Sequence, residues 1–293
     1  MIAIDLGSNT IRFIEFDGQM WGKSFEKIVK TAEALHATHT IGENALYRIN
    51  EAIAEAKRKL DFKNNDVIAY TTAAMRLASN SAIILQKIAE NTGIHFSIID
   101  SQKEAELTLN AVRHRMEALN IKPQSFVLAD IGGGSTELIR CTGSETHSVS
   151  LNMGIVTLSE CAGSITELLD KINQFKESIE GSIDFSHPLQ LVLTAGTPTT
   201  IAAYLLGMDY ESYDSEKVNG YRLRLEDCYR VYEDLLAMDD LTRIRYVGVG
   251  RENFIIAGIL MVTAIYEVMG CHEAIIIDDG LREGIALEYY NQP

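Results

Sequence analysis

Two short stretches of this chain carry residue types suited to holding phosphate. Residues 129–139 read A-D-I-G-G-G-S-T-E-L-I. Three consecutive glycines let the backbone reach φ > 0 and bring N–H groups to an anion with no Cβ in the way. Ser135 and Thr136 add hydroxyl donors. Asp130 and Glu137 are hard oxygen ligands; Mg²⁺ takes one or two such carboxylates and completes its shell with water and phosphate oxygens. Residues 4–14 read I-D-L-G-S-N-T-I-R-F-I, the same statement 125 positions earlier. Asp5 falls on Asp130, Gly7 on Gly132, Thr10 on Ser135 and Arg12 on Glu137. Each copy is an apolar strand ending in Asp, a tight turn (Ser8, Asn9 and Thr10 in the first; Gly132, Gly133, Gly134 and Ser135 in the second) and a second apolar strand. Asp, small turn residues and hydroxyls in that order are what a metal-bound phosphate chain needs. The Walker pattern G-x-x-x-x-G-K-[ST] and a G-x-G-x-x-G following a strand do not occur, which excludes those two phosphate motifs.

The elements that must position these turns follow from periodicity. Hairpin strands are expected over 2–4 and 11–16. Residues 40–59 place Ala45, Ile49, Ala52, Ile53 and Ala56 at helical spacing. A buried strand at 67–70 precedes a helix from Thr72, and a second helical run around 83–89 stops at Gly93. A strand at 96–99 leads into a long helix from Gln102. Pro123 ends that stretch and marks a linker at 122–125. The second half opens with a strand at 126–131. A strand at 189–194 runs into the turn Gly196-Thr197-Pro198 and a helix, and a strand at 275–277 precedes a closing helix at 281–290. Strands alternating with helices, led by hairpins, predict an α/β architecture with mixed sheets in two related domains, 1–122 and 123–293, whose turns face one cleft. The closing helix is expected to pack back on the first domain.

Composition narrows the function classes. The chain has 293 residues, 46% hydrophobic, with 26 basic against 41 acidic side chains and a net charge of −15. A general nucleic-acid surface is therefore not expected. A polyanionic substrate would be held by local cations and backbone N–H groups. Cys141, Cys161, Cys228 and Cys271 form no C-x-x-C pair and read as reduced core residues of a cytoplasmic protein. No export signal or membrane span is expected, since the longest apolar run, near 254–265, is short.

An ordered set of segments resembles a known group: Ile4-Asp5-Leu6-Gly7-Ser8-Asn9-Thr10; Thr72-Ala73-Ala74-Met75-Arg76 with Asn80; Glu104-Ala105-Glu106-Leu107; residues 130–138; Ser150-Leu151-Asn152-Met153-Gly154; Arg251 with Ala257-Gly258; and Gly280-Leu281-Arg282-Glu283-Gly284. The duplicated hairpins resemble the actin, sugar-kinase and Hsp70 superfamily. The wording is similar to its exopolyphosphatase and guanosine pentaphosphate phosphohydrolase (Ppx/GppA) branch, in the short two-domain form. The resemblance implies duplicated actin-like, ribonuclease H-like domains and hydrolysis of a terminal phosphoanhydride bond of polyphosphate or guanosine pentaphosphate. It implies Glu104 as the catalytic base, and Mg²⁺ (Mn²⁺ as the alternative) near Asp130, Glu137 and Asp5. The phosphate cradle would be Ser8, Asn9, Thr10 and 132–135, with Arg76 gripping phosphate; Arg12, from its place in the repeat alone, is a further candidate for holding the anion. A homodimer is expected.

Each residue also has a plainer reading. Ser101-Gln102-Lys103-Glu104 is an S-x-x-E capping box, which alone explains Glu104. Arg76 reads as a solvated helical arginine. Arg12 either points into the cleft or pairs with a carboxylate. Lys23, Lys27 and Lys30 read as a solvated face, Arg282 as an ion-pair partner of Asp278 or Asp279, and His36 and His39 lack a third metal ligand. Lys103, Thr157, Asn253 and Ile277 depart from the family pattern. A phosphotransferase of the same superfamily and a non-catalytic nucleotide or alarmone sensor are the alternative functions.

Overall fold

The computed structural model describes residues 1–184 and 189–291. Two units divide the chain. One comprises residues 1–111 and 280–293, the other 112–279. The first boundary lies inside a helix, and Pro123 lies in the stretch that follows that helix.

The first unit runs β1 (Ile2–Leu6), β2 (Thr10–Phe16), β3 (Trp21–Ile28), α1 (Leu35–Thr38), α2 (Glu43–Lys59), β4 (Val67–Thr71), α3 (Ala73–Leu77), α4 (Ser81–Thr92), β5 (Phe96–Ile98) and the first part of α5 (Ser101–Ala118). The second contains the rest of α5, then β6 (Ser125–Ile131), β7 (Thr136–Thr142), β8 (Glu145–Leu151), α6 (Ile155–Glu160), α7 (Ile165–Glu180), β9 (Gln190–Thr194), α8 (Gly196–Leu205), α9 (Ser215–Val218), β10 (Arg222–Arg224), α10 (Leu225–Ala237), α11 (Asp240–Val247), α12 (Ile255–Met269) and β11 (Glu273–Ile276). Helix α13 (Leu281–Asn291) belongs to the first unit.

The duplication extends well past the hairpins. The first sheet is ordered β3-β2-β1-β4-β5 and the second β8-β7-β6-β9-β11-β10. In each, the leading hairpin is antiparallel and its first strand pairs in parallel with the strand that follows the first helices. Both sheets are mixed, and the second adds β10 at its edge, antiparallel to β11. All five residues of β1 are buried, because helices cover both faces of the strand.

Periodicity dictates which helix face packs. Helix α2 buries Ala45, Leu46, Ile49, Ala52, Ile53 and Ala56 along one stripe. On the other face of the first sheet, Ala3, Ile14 and Phe16 meet Leu107 of α5 and Leu281, Ile285 and Ala286 of α13. The α5–α13 contact is close: a Cβ on Gly284 would lie 2.1 Å from the Leu107 carbonyl oxygen. Lys103 of α5 pairs with Glu288 of α13, and the carboxylate raises the lysine pKa above its ordinary value. In the second unit, Ala129, Ile131 and Leu138 pack under Phe175 of α7 and Ile259, Ile265 and Tyr266 of α12. Among the described residues no helix is long and apolar enough to cross a membrane.

Candidate active site

The two turns close the same way. Gly7 N–H donates to Thr10 O at 3.0 Å, and Gly132 N–H donates to Ser135 O at 3.0 Å. What lies behind them differs. Behind the second turn, the N-terminus of α6 spends its free N–H groups on turn carbonyls: Ile155 N to Gly132 O (3.0 Å) and Val156 N to Gly133 O (2.8 Å). In a trans peptide C=O and N–H point opposite ways. The N–H groups of Gly133 and Gly134 are therefore turned away from α6. Behind the first turn an irregular segment does this work: Ala32 N donates to Ser8 O, and Val29 N and Lys30 N to Asn9 O. That leaves the Asn9 and Thr10 N–H groups facing away from it.

Positive φ is not how the glycine triplet works. Left-handed glycines occur at Gly18, Gly93 and Gly143, among others, and not at 132–134. Close approach is seen at this turn instead. A Cβ on the facing Gly154 would lie 2.5 Å from Gly133 C and O and 2.6 Å from Gly134 N, so the two backbones touch with no side chain between them. Thr157 fixes this corner; its hydroxyl accepts from Gly154 N at 2.8 Å and donates to Gly154 O at 2.9 Å.

Register places the charged groups. Asp130 lies directly across from Glu137 and Glu137 across from Ser150. Opposed residues share one sheet face, so two carboxylates sit side by side next to the glycine turn. Glu137 is buried and its Oε1 accepts from Ser150 Oγ at 2.7 Å. In the first unit Asp5 lies across from Arg12 and Arg12 across from Glu26. Arg12 bridges the two, 3.5 Å from Asp5 and 3.4 Å from Glu26. The same three positions across the sheet thus read minus-plus-minus in one unit and minus-minus-neutral in the other. The hard-oxygen pair suits a divalent cation; Asp5, beside a guanidinium, suits one less. Among the described residues no group of three or more ligating side chains forms. A metal here would take the rest of its shell from phosphate and water. Asn9 Oδ1, in the first turn, is buried without a hydrogen-bond partner among the described residues, a position that water can fill.

Glu104 lies in the first turn of α5, and the helix cap is Asp100. Asp100 Oδ1 accepts from Lys103 N at 2.8 Å and its carbonyl accepts from Glu104 N at 3.0 Å. The cap expected at Ser101 is thus one residue earlier, because an aspartate is as good an N-cap as serine. The Glu104 carboxylate instead meets Arg76, whose Nη1 donates to Glu104 Oε2 at 2.7 Å and to Ile99 O at 2.9 Å. Arg76 is therefore no solvated helical arginine. Glu104 is 9% exposed, so the pair is largely withdrawn from water.

The model of the Ppx/GppA phosphatase family matches residues 23–292. The chain belongs to the Ppx/GppA phosphatase family. A guanosine-5'-triphosphate,3'-diphosphate pyrophosphatase of Aliivibrio fischeri is 27% identical over 97% of the chain, but the chain spans 58% of that relative's length. Exopolyphosphatase 2 of Mycobacterium tuberculosis is 26% identical, with 97% of each chain covered. A Ppx/GppA family member from Aquifex aeolicus superposes with a TM-score of 0.76 at 25% identity, covering 100% of this chain and 98% of the other. An exopolyphosphatase from Cytophaga hutchinsonii has the same fold, with a TM-score of 0.86 at 23% identity over 98% and 96% of the two chains. The fold is accordingly that of duplicated actin-like domains.

Within this Ppx/GppA chain the remaining sequence candidates find structural places. Lys27 pairs with Glu55 at 2.7 Å. Arg282 pairs with its neighbour Glu283. Gly196-Thr197-Pro198 opens α8, packed so closely that a Cβ on Gly258 of α12 would lie 2.4 Å from Thr197 Oγ1. Ile277 is fully buried, its N–H donating to Leu193 O. Sequence reasoning assigned no role to Glu26, Ser150 or Gly154. The only signal for the last two was their place in the segment 150–154.

Proposed function

We propose that this protein hydrolyses the terminal phosphoanhydride bond of inorganic polyphosphate, of guanosine pentaphosphate, or of both. The observation that carries the reading is the Asp130–Glu137 carboxylate pair beside a turn with outward-facing amides, in a chain of a phosphatase family. The names of the relatives supply the two substrates. Glu104 is the base: it takes a proton from water, the water oxygen bonds to the terminal phosphorus, and the bridging P–O bond breaks with its electron pair leaving on the shortened chain. Arg76 holds that carboxylate in one orientation through Nη1, while the rest of its planar fork remains suited to phosphate. The outward N–H groups of Gly133 and Gly134, and those of Asn9 and Thr10, hold phosphate oxygens. Asp130 and Glu137 would hold Mg²⁺ or Mn²⁺, which would neutralise charge on the transferred group when bound.

The test is phosphate release from polyphosphate, guanosine pentaphosphate and ATP separately, with and without Mg²⁺. Metal-dependent release from either of the first two, exceeding that from ATP, is expected. Tight binding of the same compounds without release would identify a sensor instead.

A further inference from the structure

The second unit has a cavity of about 290 Å³ that the proposed reaction does not use. Its floor is the Phe126–Cys141 rung of the β6–β7 pair, and Met116 of α5 and Ile121 line its side. This rung is on the sheet face that carries Asp130 and Glu137, four residues away along the strand, or roughly 13 Å. The fully buried Leu128–Ile139 rung separates the two places, so the cavity is not an extension of the glycine turn.

Two cations, Arg113 and Lys122, and one exposed carboxylate, Glu117, line this cavity. Among the described residues neither cation is held in an ion pair. Arg113 is half-buried, and the contact it makes is with the Cys141 thiol, whose pKa is raised by burial and drawn back by the guanidinium. A guanidinium has five N–H donors in a rigid fork, and one soft sulfur leaves most of them unused. In a chain of net charge −15, two cations against one carboxylate beside an apolar floor are a local excess of positive charge. Apolar walls with a few converging polar groups are what small-ligand sites have. The volume is close to the lower end for such sites, enough for a single ring with one acidic group.

We infer that this cavity is a second, separate binding site for a small organic anion: a carboxylate or phosphate-type head held by Arg113 and Lys122, with an apolar body on Phe126 and Met116.

The test is a titration of the full chain with phenylphosphonate, benzoate and neutral benzyl alcohol, following the methyl NMR signals of Met116 and Ile121. At least one of the two anions should give saturable shifts of both methyls, and benzyl alcohol should give none. The tighter anion identifies the head group. Arg113→Met should weaken binding at least tenfold, and Lys122→Met, on the exposed rim, should weaken it severalfold. Absence of saturable shifts with both anions, equal binding of benzyl alcohol, or undiminished binding in Lys122→Met would overturn the proposal, whatever the fate of Arg113→Met's fold. Phosphate release is read separately, so failure here leaves the hydrolase reading standing and the reverse is also true.

Discussion

Arg76 and Glu104 are 28 residues apart in the chain and in contact at 2.7 Å, largely withdrawn from solvent. A lysine at 76 keeps the charge but loses the planar, rigid guanidinium whose Nη1 donates to Glu104 and to the Ile99 carbonyl. Arg76→Lys is therefore expected to lower kcat about tenfold or more with little change in KM, because the positioning of the base suffers first. Steady-state kinetics on the preferred substrate check this, and a rise in KM alone would assign Arg76 to phosphate instead. This pair shows what could not be read from the chain. Spacing offered Glu104 a cap with Ser101, and only the folded contact with Arg76 gives its carboxylate a different partner. By contrast, Asp5, Arg12, Asp130 and Glu137 were legible as equivalents, since a fixed offset of 125 residues aligns them and the strand register reproduces it.

The glycine turn and α6 form one piece of architecture, joined where Gly154 meets Gly133 without side chains. Gly154→Ala must push these backbones apart. We expect a loss of about 1–3 kcal/mol in stability and a fall in turnover at temperatures where the variant is still folded, measured by thermal melting beside kinetics. A second element-scale tie is Glu55 of α2, which holds Lys27 of β3 and Lys59. Hydrogen bonds from these two lysines lower the Glu55 pKa from its ordinary 4.5 to about 2. A depressed carboxylate pKa stabilises the fold above the unfolded value and loses that contribution as pH falls through the folded one. The stability gap between wild type and Glu55→Gln should thus be full above pH 4.5 and close toward pH 2, as followed by urea midpoints across that range. Strand β3 itself was not apparent in the sequence. It is an edge strand with half-exposed and exposed residues throughout, as is β8, so neither carries the alternation that marks a half-buried strand. The buried strands β1, β6 and β9 were legible because they are short apolar runs with both faces covered.

At the scale of the molecule, one strand order is used twice with different patterns of charge. The first unit neutralises its aspartate with Arg12 and supplies Glu104 on α5; the second leaves a carboxylate pair beside an amide-lined turn. The duplication of the sheets was readable from two eleven-residue segments, while the difference in their chemistry needed the third strand of each, with Glu26 in one and Ser150 in the other. The measurement that tests this account most directly is phosphate release by wild type and Glu104→Gln side by side, in Mg²⁺, with circular dichroism confirming that both are folded. Wild type should release phosphate from polyphosphate or guanosine pentaphosphate, and the variant should do so about 10²–10⁴ times more slowly. No release by wild type, or an undiminished rate in the variant, would contradict it.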